Sequence, residues 1–240
     1  MTIAYFATFH HPTRPETRIS AADQVRVQDI VATTPGLTRG LVFTPEKVSR
    51  PYDDDGPVPP LALELYFADI ATCEAALAPA GHLQALAAPN ALPSVASATP
   101  VQQAMIARAF PVPQPEFQTP PNEPHCTFLV HYPGRAEDLN AWLHYYIVNH
   151  PPLMAKFPGI RQIEICTRID WVGFLPWPRV DYMQRNKVVF DSVAALDAAL
   201  NSPVRDEMRA DYHKFPPFAG SNRHYPFATR VVLPRSRGLT

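Results

Sequence analysis

The tripeptide Pro35-Gly36-Leu37 recurs 123 residues later as Pro158-Gly159-Ile160. The same offset places Phe67 on Phe190, and it aligns the Ala/Leu-rich residues 74–77 with residues 197–200. Chance rarely keeps one register over such a distance, so the sequence indicates an internal duplication.

The duplication predicts two copies, residues 1–113 and residues 124–240, joined by a linker at 114–123. Hydrophobic periodicity gives each copy the order strand, helix, strand, strand, helix, strand. This is the order of the split β-α-β, or ferredoxin-like, unit, in which helices cover one face of the sheet. Because the bare face must also be buried, we predict an α+β protein in which two tandem units pack sheet to sheet as an intramolecular barrel.

The composition excludes several classes of protein. The chain is 46% hydrophobic and 18% charged with a net charge of -1, which is typical of a globular protein and gives no basic surplus for nucleic acid. No apolar run reaches the roughly 18 residues that span a bilayer, so we expect no membrane partner. The N-terminal residues do not resemble a leader, and we expect a cytoplasmic protein. The three cysteines form no CxxC pair, which argues against a zinc site.

His150 is the strongest candidate for a chemical role. It continues an apolar stripe along the predicted first helix of copy two, formed by Leu139, Trp142, Leu143 and Tyr146. Pro151-Pro152 should end or kink this helix, and the helix dipole would then favour the charged form of His150, as suits a proton carrier. The alternative is a core histidine bonded to a backbone carbonyl.

The run Tyr145-Tyr146-Ile147-Val148-Asn149-His150-Pro151-Pro152-Leu153, followed by Phe157-Pro158-Gly159-Ile160, resembles the YYxxxHxPLxxxxPGL signature of EthD-type proteins. These belong to the dimeric α+β barrel superfamily, which includes muconolactone-type isomerases, polyketide cyclases and monooxygenases without cofactor. The resemblance covers nearly all of copy two and implies a proton-transfer role for His150. Copy one has Val27 at the matching position. We therefore expect one site, in copy two, and a structural role for copy one.

Further candidates for substrate binding follow the predicted strands. Residues 161–170 alternate, so one set of side chains should point into the barrel as ligand contacts. The alternatives are an internal ion pair between Glu164 and Arg168 or an edge strand with one face in water. His224 and Arg230 share one phase of the last strand and would form an anion clamp. Two tryptophans in the following connection would either cover a substrate or pack the loop. The substrate-binding candidates are Glu164, Arg168, His224, Arg230, Trp171 and Trp177.

No GxSxG, HExxH, GxGxxG or GxxxxGK motif occurs, so we expect neither a cofactor nor a metal. We predict an isomerase-type enzyme that moves a proton or double bond on a small carboxylated, oxygenated compound, such as a ring-cleavage product of aromatic or lignin catabolism. His150 would be the general acid/base and Tyr146 would orient it, while Arg168 or Arg230 holds the carboxylate. The alternatives are a methyl ester hydrolase on the same substrate class and a non-catalytic binding or accessory protein. We expect a monomer or a homodimer.

Overall fold

The computed structural model of the chain describes residues 2–11, 13–49, 55–120 and 122–235. This part of the chain forms eight strands and five α-helices. The strands are β1 Thr2–His10, β2 Leu37–Pro45, β3 Leu61–Phe67, β4 Thr99–Phe110, β5 His125–Tyr132, β6 Ile160–Arg168, β7 Gln184–Phe190 and β8 Arg223–Val232. The helices are α1 Ala21–Ala32, α2 Ile70–Leu77, α3 Leu139–Met154, α4 Val193–Leu200 and α5 Val204–Tyr212.

The offset of 123 residues recurs in the elements. Adding 123 to the first and last residue numbers of β3 gives those of β7, and the same holds for α2 and α4. The glycines of the repeated tripeptide, Gly36 and Gly159, have φ of 74° and 75°, where a side chain would be strained, which explains why both copies place glycine before a strand. A register shift follows each of them at the matching point, after Leu37 in β2 and after Ile160 in β6.

All eight strands form one closed antiparallel barrel in the order β1-β3-β2-β8-β5-β7-β6-β4. The two halves of the chain join edge to edge, through β2 with β8 and through β4 with β6. The predicted fold class, two ferredoxin-like units packed sheet to sheet, is therefore wrong. Backbone hydrogen bonds between the edge strands close the eight described strands into a single sheet, so within this part of the chain each strand is paired on both sides and no two sheets stack.

Side chains that alternate along the strands divide the core into an interior and an exterior. One hydrophobic cluster, which includes Phe6, Phe43 and Phe227, lies inside the barrel. A second cluster joins the outer face of β1 to β4 with α1 and α2, and a third joins the outer face of β5 to β7 with α3 and α4. The helices thus cover the barrel from outside, and space for a ligand arises between helices and strands.

Helix α3 differs from its prediction at the two prolines. It continues through Pro151 and Pro152 to Met154, so His150 lies in its last two turns and not at its end. The two prolines supply no N–H, so the carbonyls of Ile147 and Val148 lack their usual helical donors. The helix tolerates both prolines because they fall near its C-terminus, where few intrahelical bonds remain to be made.

Among the residues that the structure describes, no helix combines the length and apolar character needed to cross a membrane. The limits of the two copies and the linker stay predictions, as does the oligomeric state.

Candidate functional site

A cavity of about 410 Å³ lies between the outer face of the copy-two strands and helices α3, α4 and α5. Its volume falls within the range of small-molecule sites. Apolar side chains line most of the wall on the strand and α4 sides, namely Phe128, Val130, Val188, Phe190, Leu196 and Leu200. The polar groups gather near α5 and the start of β8, so the cavity has one apolar and one polar side.

His150 lines this cavity and is 5% exposed. Its Nδ1 lies 2.7 Å from Oδ2 of Asp211 on α5, and the hydroxyl of Tyr145 donates to the other carboxylate oxygen at 3.0 Å. Asp211 is 6% exposed. The carboxylate therefore holds the imidazole in one orientation.

The protonation of this pair follows from its contacts. Although burial raises the pKa of Asp211, hydrogen bonds from His150 and Tyr145 outweigh it, and the pKa lies below its ordinary value. An ionised carboxylate only accepts hydrogen bonds, so Nδ1 of His150 carries the proton. Burial lowers the pKa of His150 despite the opposing effect of Asp211. The neutral ring thus keeps its lone pair on Nε2, which has no hydrogen bond within the described part of the chain.

This result corrects the expected charge of His150. The sequence led us to expect that the helix dipole favours imidazolium, whereas burial is the largest influence and favours the neutral ring. A neutral imidazole with a fixed Nδ1–H and an accessible Nε2 is the form that a general base requires.

Tyr146 contacts His150 through its ring, at a centroid distance of 4.7 Å, and Phe215 contacts the ring of His150 at 5.0 Å. The Tyr146 hydroxyl accepts a hydrogen bond of 2.6 Å from the side-chain amide of Asn186 on β7. Tyr146 therefore packs against His150, and it is Asp211 that makes the orienting hydrogen bond.

A second histidine lines the polar side of the cavity. His224 stacks on Phe128 and its Nδ1 lies 3.0 Å from Oδ1 of Asp55, which also accepts from the His224 backbone N–H at 2.8 Å. His224 further lowers the pKa of His150 through its charge. Of the candidates for substrate binding, His224 is the one that lies in this cavity with His150.

Arginines of α5, and not those named from the sequence, line the cavity. Arg205 and Arg209 are both among its wall residues. Arg209 makes no side-chain hydrogen bond or ion pair to any residue that the structure describes. It is the cation best placed to meet an anionic group of a ligand.

Arg168 and Arg230 lie outside the cavity. Arg168 donates to Asp181 at 2.7 Å on the protein surface, and Arg230 donates to the backbone carbonyl of Asn122 at 3.2 Å. Trp171 and Trp177 pack in the copy-one cluster, where Trp177 meets Phe9 edge to face. The structure therefore does not bring these four residues to His150.

Glu164 points into the barrel interior, as the alternation of β6 predicts. Its carboxylate accepts hydrogen bonds from Tyr66 at 2.8 Å and from Lys187 at 2.6 Å, and Lys187 also donates to Glu64 at 2.6 Å. Burial raises the pKa of Glu64 to about 8, whereas the pKa of Glu164 falls to about 2 because Lys187 and its other hydrogen-bond donors outweigh the effect of burial. Glu164 thus belongs to an internal ion pair, but its partner is Lys187 and not Arg168, which the sequence-based alternative had paired with it.

The ligand atoms of Glu64, Glu164 and Cys166 lie within 4.8 Å of one another, close enough to share a metal ion. The Lys187 ammonium, however, already contacts both carboxyl groups and compensates the negative charge of Glu164. This cluster fits a buried ion pair better than a metal.

The sequence missed Asp211, Asn186, Asp55 and Arg209. Asp211 lies 61 residues from His150, on a helix that the sequence analysis did not separate. One feature of the sequence could have indicated Asn186, because four consecutive polar residues, 184–187, precede the apolar end of a strand. Such a run needs polar partners on both sides of the sheet.

No protein-family model and no curated protein matches the sequence. Solved structures match it through their fold. An anthrone oxidase-like protein superposes with a TM-score of 0.57 at 14% identity over 96% of this chain and 93% of that one. A candidate monooxygenase from Lactobacillus acidophilus superposes with 0.54 at 11% identity over 97% and 96%. A chlorite dismutase from Candidatus Nitrospira defluvii gives 0.51 at 9% identity over 95% and 91%.

An EthD family protein from Bacillus halodurans matches 41% of the chain at 24% identity, but its TM-score of 0.32 is too low to support an argument. At these identities the comparisons establish shared architecture alone. The chain shares the overall fold of these solved structures, and its resemblance to EthD-type proteins stays a prediction.

Proposed function

We propose that this chain is an enzyme that removes a proton from a small carboxylated, oxygenated organic compound, with His150 as the general base. One observation carries the proposal: Asp211 holds Nδ1 of His150 while Nε2 has no hydrogen bond within the described residues and the ring lines a cavity. A side chain in this arrangement accepts a proton from a bound compound, and the fixed carboxylate stabilises the imidazolium that forms.

The walls of the cavity support the substrate class. Phe128 and Phe190 offer apolar surfaces suited to a ring or a conjugated chain, and Arg209 offers a cation for a carboxylate. His224, paired with Asp55, lies on the polar side and would hydrogen-bond an oxygen of the same compound. The substrate would thus lie with its anionic end toward α5 and its apolar part on the strands.

The leading reaction is isomerisation. Nε2 of His150 takes a proton from a carbon beside a carbonyl, the electrons delocalise onto that oxygen, and the same proton returns at another carbon. No redox partner is needed, because the compound keeps its atoms and electrons. The transient imidazolium would be stabilised by Asp211 and the enolate-like charge by Arg209.

A second candidate shares the first step. Two proteins of similar structure are named an anthrone oxidase-like protein and a candidate monooxygenase. These names suggest a reaction in which dioxygen oxidises the deprotonated compound. Dioxygen would then be reduced as the carbanion is oxidised, and oxygen would be consumed.

Hydrolysis of a methyl ester, with His150 activating water, would instead release methanol.

The test uses a set of hydroxymuconate-type dienoates and hydroxyaromatic compounds, with absorbance, oxygen uptake, methanol and product mass recorded together. An unchanged mass with a shifted dienoate absorbance supports isomerisation, and oxygen uptake supports the second candidate. His150→Ala should lower turnover at least about 100-fold. The matched control is His144→Ala, because His144 is exposed on the same helix.

Near-normal turnover in folded His150→Ala protein would overturn the role of His150. Binding of these compounds in the cavity, with no conversion of any of them, would instead favour the non-catalytic alternative.

A further inference from the structure

Arg185 is a fully buried cation that forms no ion pair with any carboxylate among the residues that the structure describes. It lies on β7, points into the barrel and is 0% exposed. Its guanidinium lies over the rings of Phe6 and Tyr182, at 4.6 and 4.7 Å from their centroids. Nη1 makes two long hydrogen bonds, both of 3.4 Å, to Thr8 and to Nε2 of His131.

The other two guanidinium nitrogens, Nε and Nη2, have no hydrogen-bond partner among the described residues, although both are buried. These two atoms share one edge of the guanidinium and direct their N–H groups in parallel. Such an edge matches the two oxygens of a carboxylate or a similar planar oxyanion. The rings of Phe6 and Tyr182 provide cation–π contacts to the guanidinium but no carboxylate to pair with it.

The charge of Arg185 is also uncompensated. The acidic residue that acts on it most directly is Glu64, yet burial raises the pKa of Glu64 to about 8, so this carboxyl is mostly protonated near neutral pH. Glu164 is ionised but forms its ion pair with Lys187. A buried guanidinium without a counter-charge is costly, and an anion bound at its free edge would remove that cost.

Within the described residues, the surroundings of Arg185 provide further polar atoms without partners. Nε2 of His10 and Oε1 of Gln103 are buried and likewise lack partners in the part of the chain that the structure describes. The rings of His10, Tyr225, His131 and Tyr182 are in contact around this end of the barrel. His10 and Tyr182 are partly exposed, whereas Arg185 is fully buried, so these two residues lie on the solvent side of the group.

We propose that this end of the barrel interior is a second ligand site, which binds a small carboxylate or another planar oxyanion on the Nε and Nη2 edge of Arg185. The site is separate from the His150 cavity, because adjacent residues of β7 point to opposite faces of the sheet. Arg185 faces the interior, whereas Asn186 lines the outer cavity. The inference does not depend on the proposed function.

The experiment measures thermal unfolding of the whole chain in increasing sodium formate, with sodium chloride replacing formate at constant ionic strength. A ligand that binds the folded state raises the melting temperature in a saturable way, which gives an apparent affinity. We expect a saturable effect of formate in the wild-type protein and at least tenfold weaker affinity in Arg185→Lys. Lysine keeps the charge but lacks the paired N–H groups.

The matched control is Arg209→Lys, which changes the cation of the outer cavity and should leave the affinity for formate within twofold of wild type. The inference fails if wild-type protein shows no saturable effect beyond that of chloride. It also fails if Arg185→Lys binds formate as wild type does, or if Arg209→Lys is the variant that loses the effect. Should Arg185→Lys not fold, the NMR signals of the arginine Nε–H groups are measured in Arg209→Lys protein, in which Arg185 is intact. Formate must then shift a slowly exchanging Nε–H signal, and the absence of a shift refutes the site.

Discussion

Asp211→Asn tests the chemistry of the candidate site most directly. The substitution keeps the size of the side chain and removes its charge. The bond from His150 to Asp211 is 2.7 Å long and both side chains are below one-tenth exposed, so it belongs to the stronger, charge-assisted class. Hydrogen bonds to charged groups contribute about 1.5 to 3 kcal/mol. Loss of about 2 to 3 kcal/mol from the imidazolium-like transition state corresponds to roughly 30- to 160-fold in rate.

The same change has a readout that needs no substrate. Asp211 raises the pKa of His150 against the larger effect of burial, so Asp211→Asn should lower that pKa further. An NMR titration of the His150 ring protons measures it. In a pH profile, base-dependent activity falls as pH drops through the pKa of His150, below its ordinary value of 6.5. The acid limb of the variant should therefore lie at lower pH than that of the wild type.

Glu207→Gln is the control for this variant. Glu207 lies on the same helix and its ion pair with Lys156 is exposed, so its loss should change neither the His150 titration nor the turnover. The reasoning is refuted if folded Asp211→Asn protein keeps the wild-type pKa at His150 and turns over within twofold of the wild-type rate.

Three further predictions concern stability and reactivity. Val27 is fully buried in the copy-one cluster, so Val27→Ala should lower the free energy of unfolding, measured in urea, by about 1 to 3 kcal/mol without changing turnover. A loss of turnover at wild-type stability would contradict the structural role of copy one. The pKa of Glu64 rises on folding from 4.5 to about 8, so this residue binds more protons in the folded state and its contribution to stability should decline as pH rises from about 4.5 to 8. Glu64→Gln, which resembles the protonated carboxyl, should remove that decline, and an unchanged pH dependence of urea unfolding would count against it. Burial raises the pKa values of Cys73 and Cys126 to about 12, so both thiols should react with a disulfide reagent only after unfolding, and rapid labelling of the native protein would disprove this.

Local patterns were sufficient for most elements of this chain. The tripeptide Pro35-Gly36-Leu37 and its copy mark the entry to a strand in both halves, because a glycine with positive φ is needed there. Alternation along β6 placed Glu164 on the interior side, and helical periodicity placed His150 on the buried face of α3. These features depend on a few neighbouring residues, so they can be derived without knowledge of the rest of the fold.

The closure of the barrel and the partners of the site residues depend on contacts between residues that are far apart in the sequence. The pairing of β2 with β8 and of β4 with β6 depends on hydrogen bonds between edge strands far apart in the chain, and no periodicity encodes whether two sheets stack or close into one barrel. The partner of His150 comes from α5, and Arg168 finds Asp181 at the surface instead of a ligand. The sequence also predicted the wrong preference for the charge of His150, because the sequence shows a nearby helix end but not how deeply the ring is buried, and burial dominates its pKa.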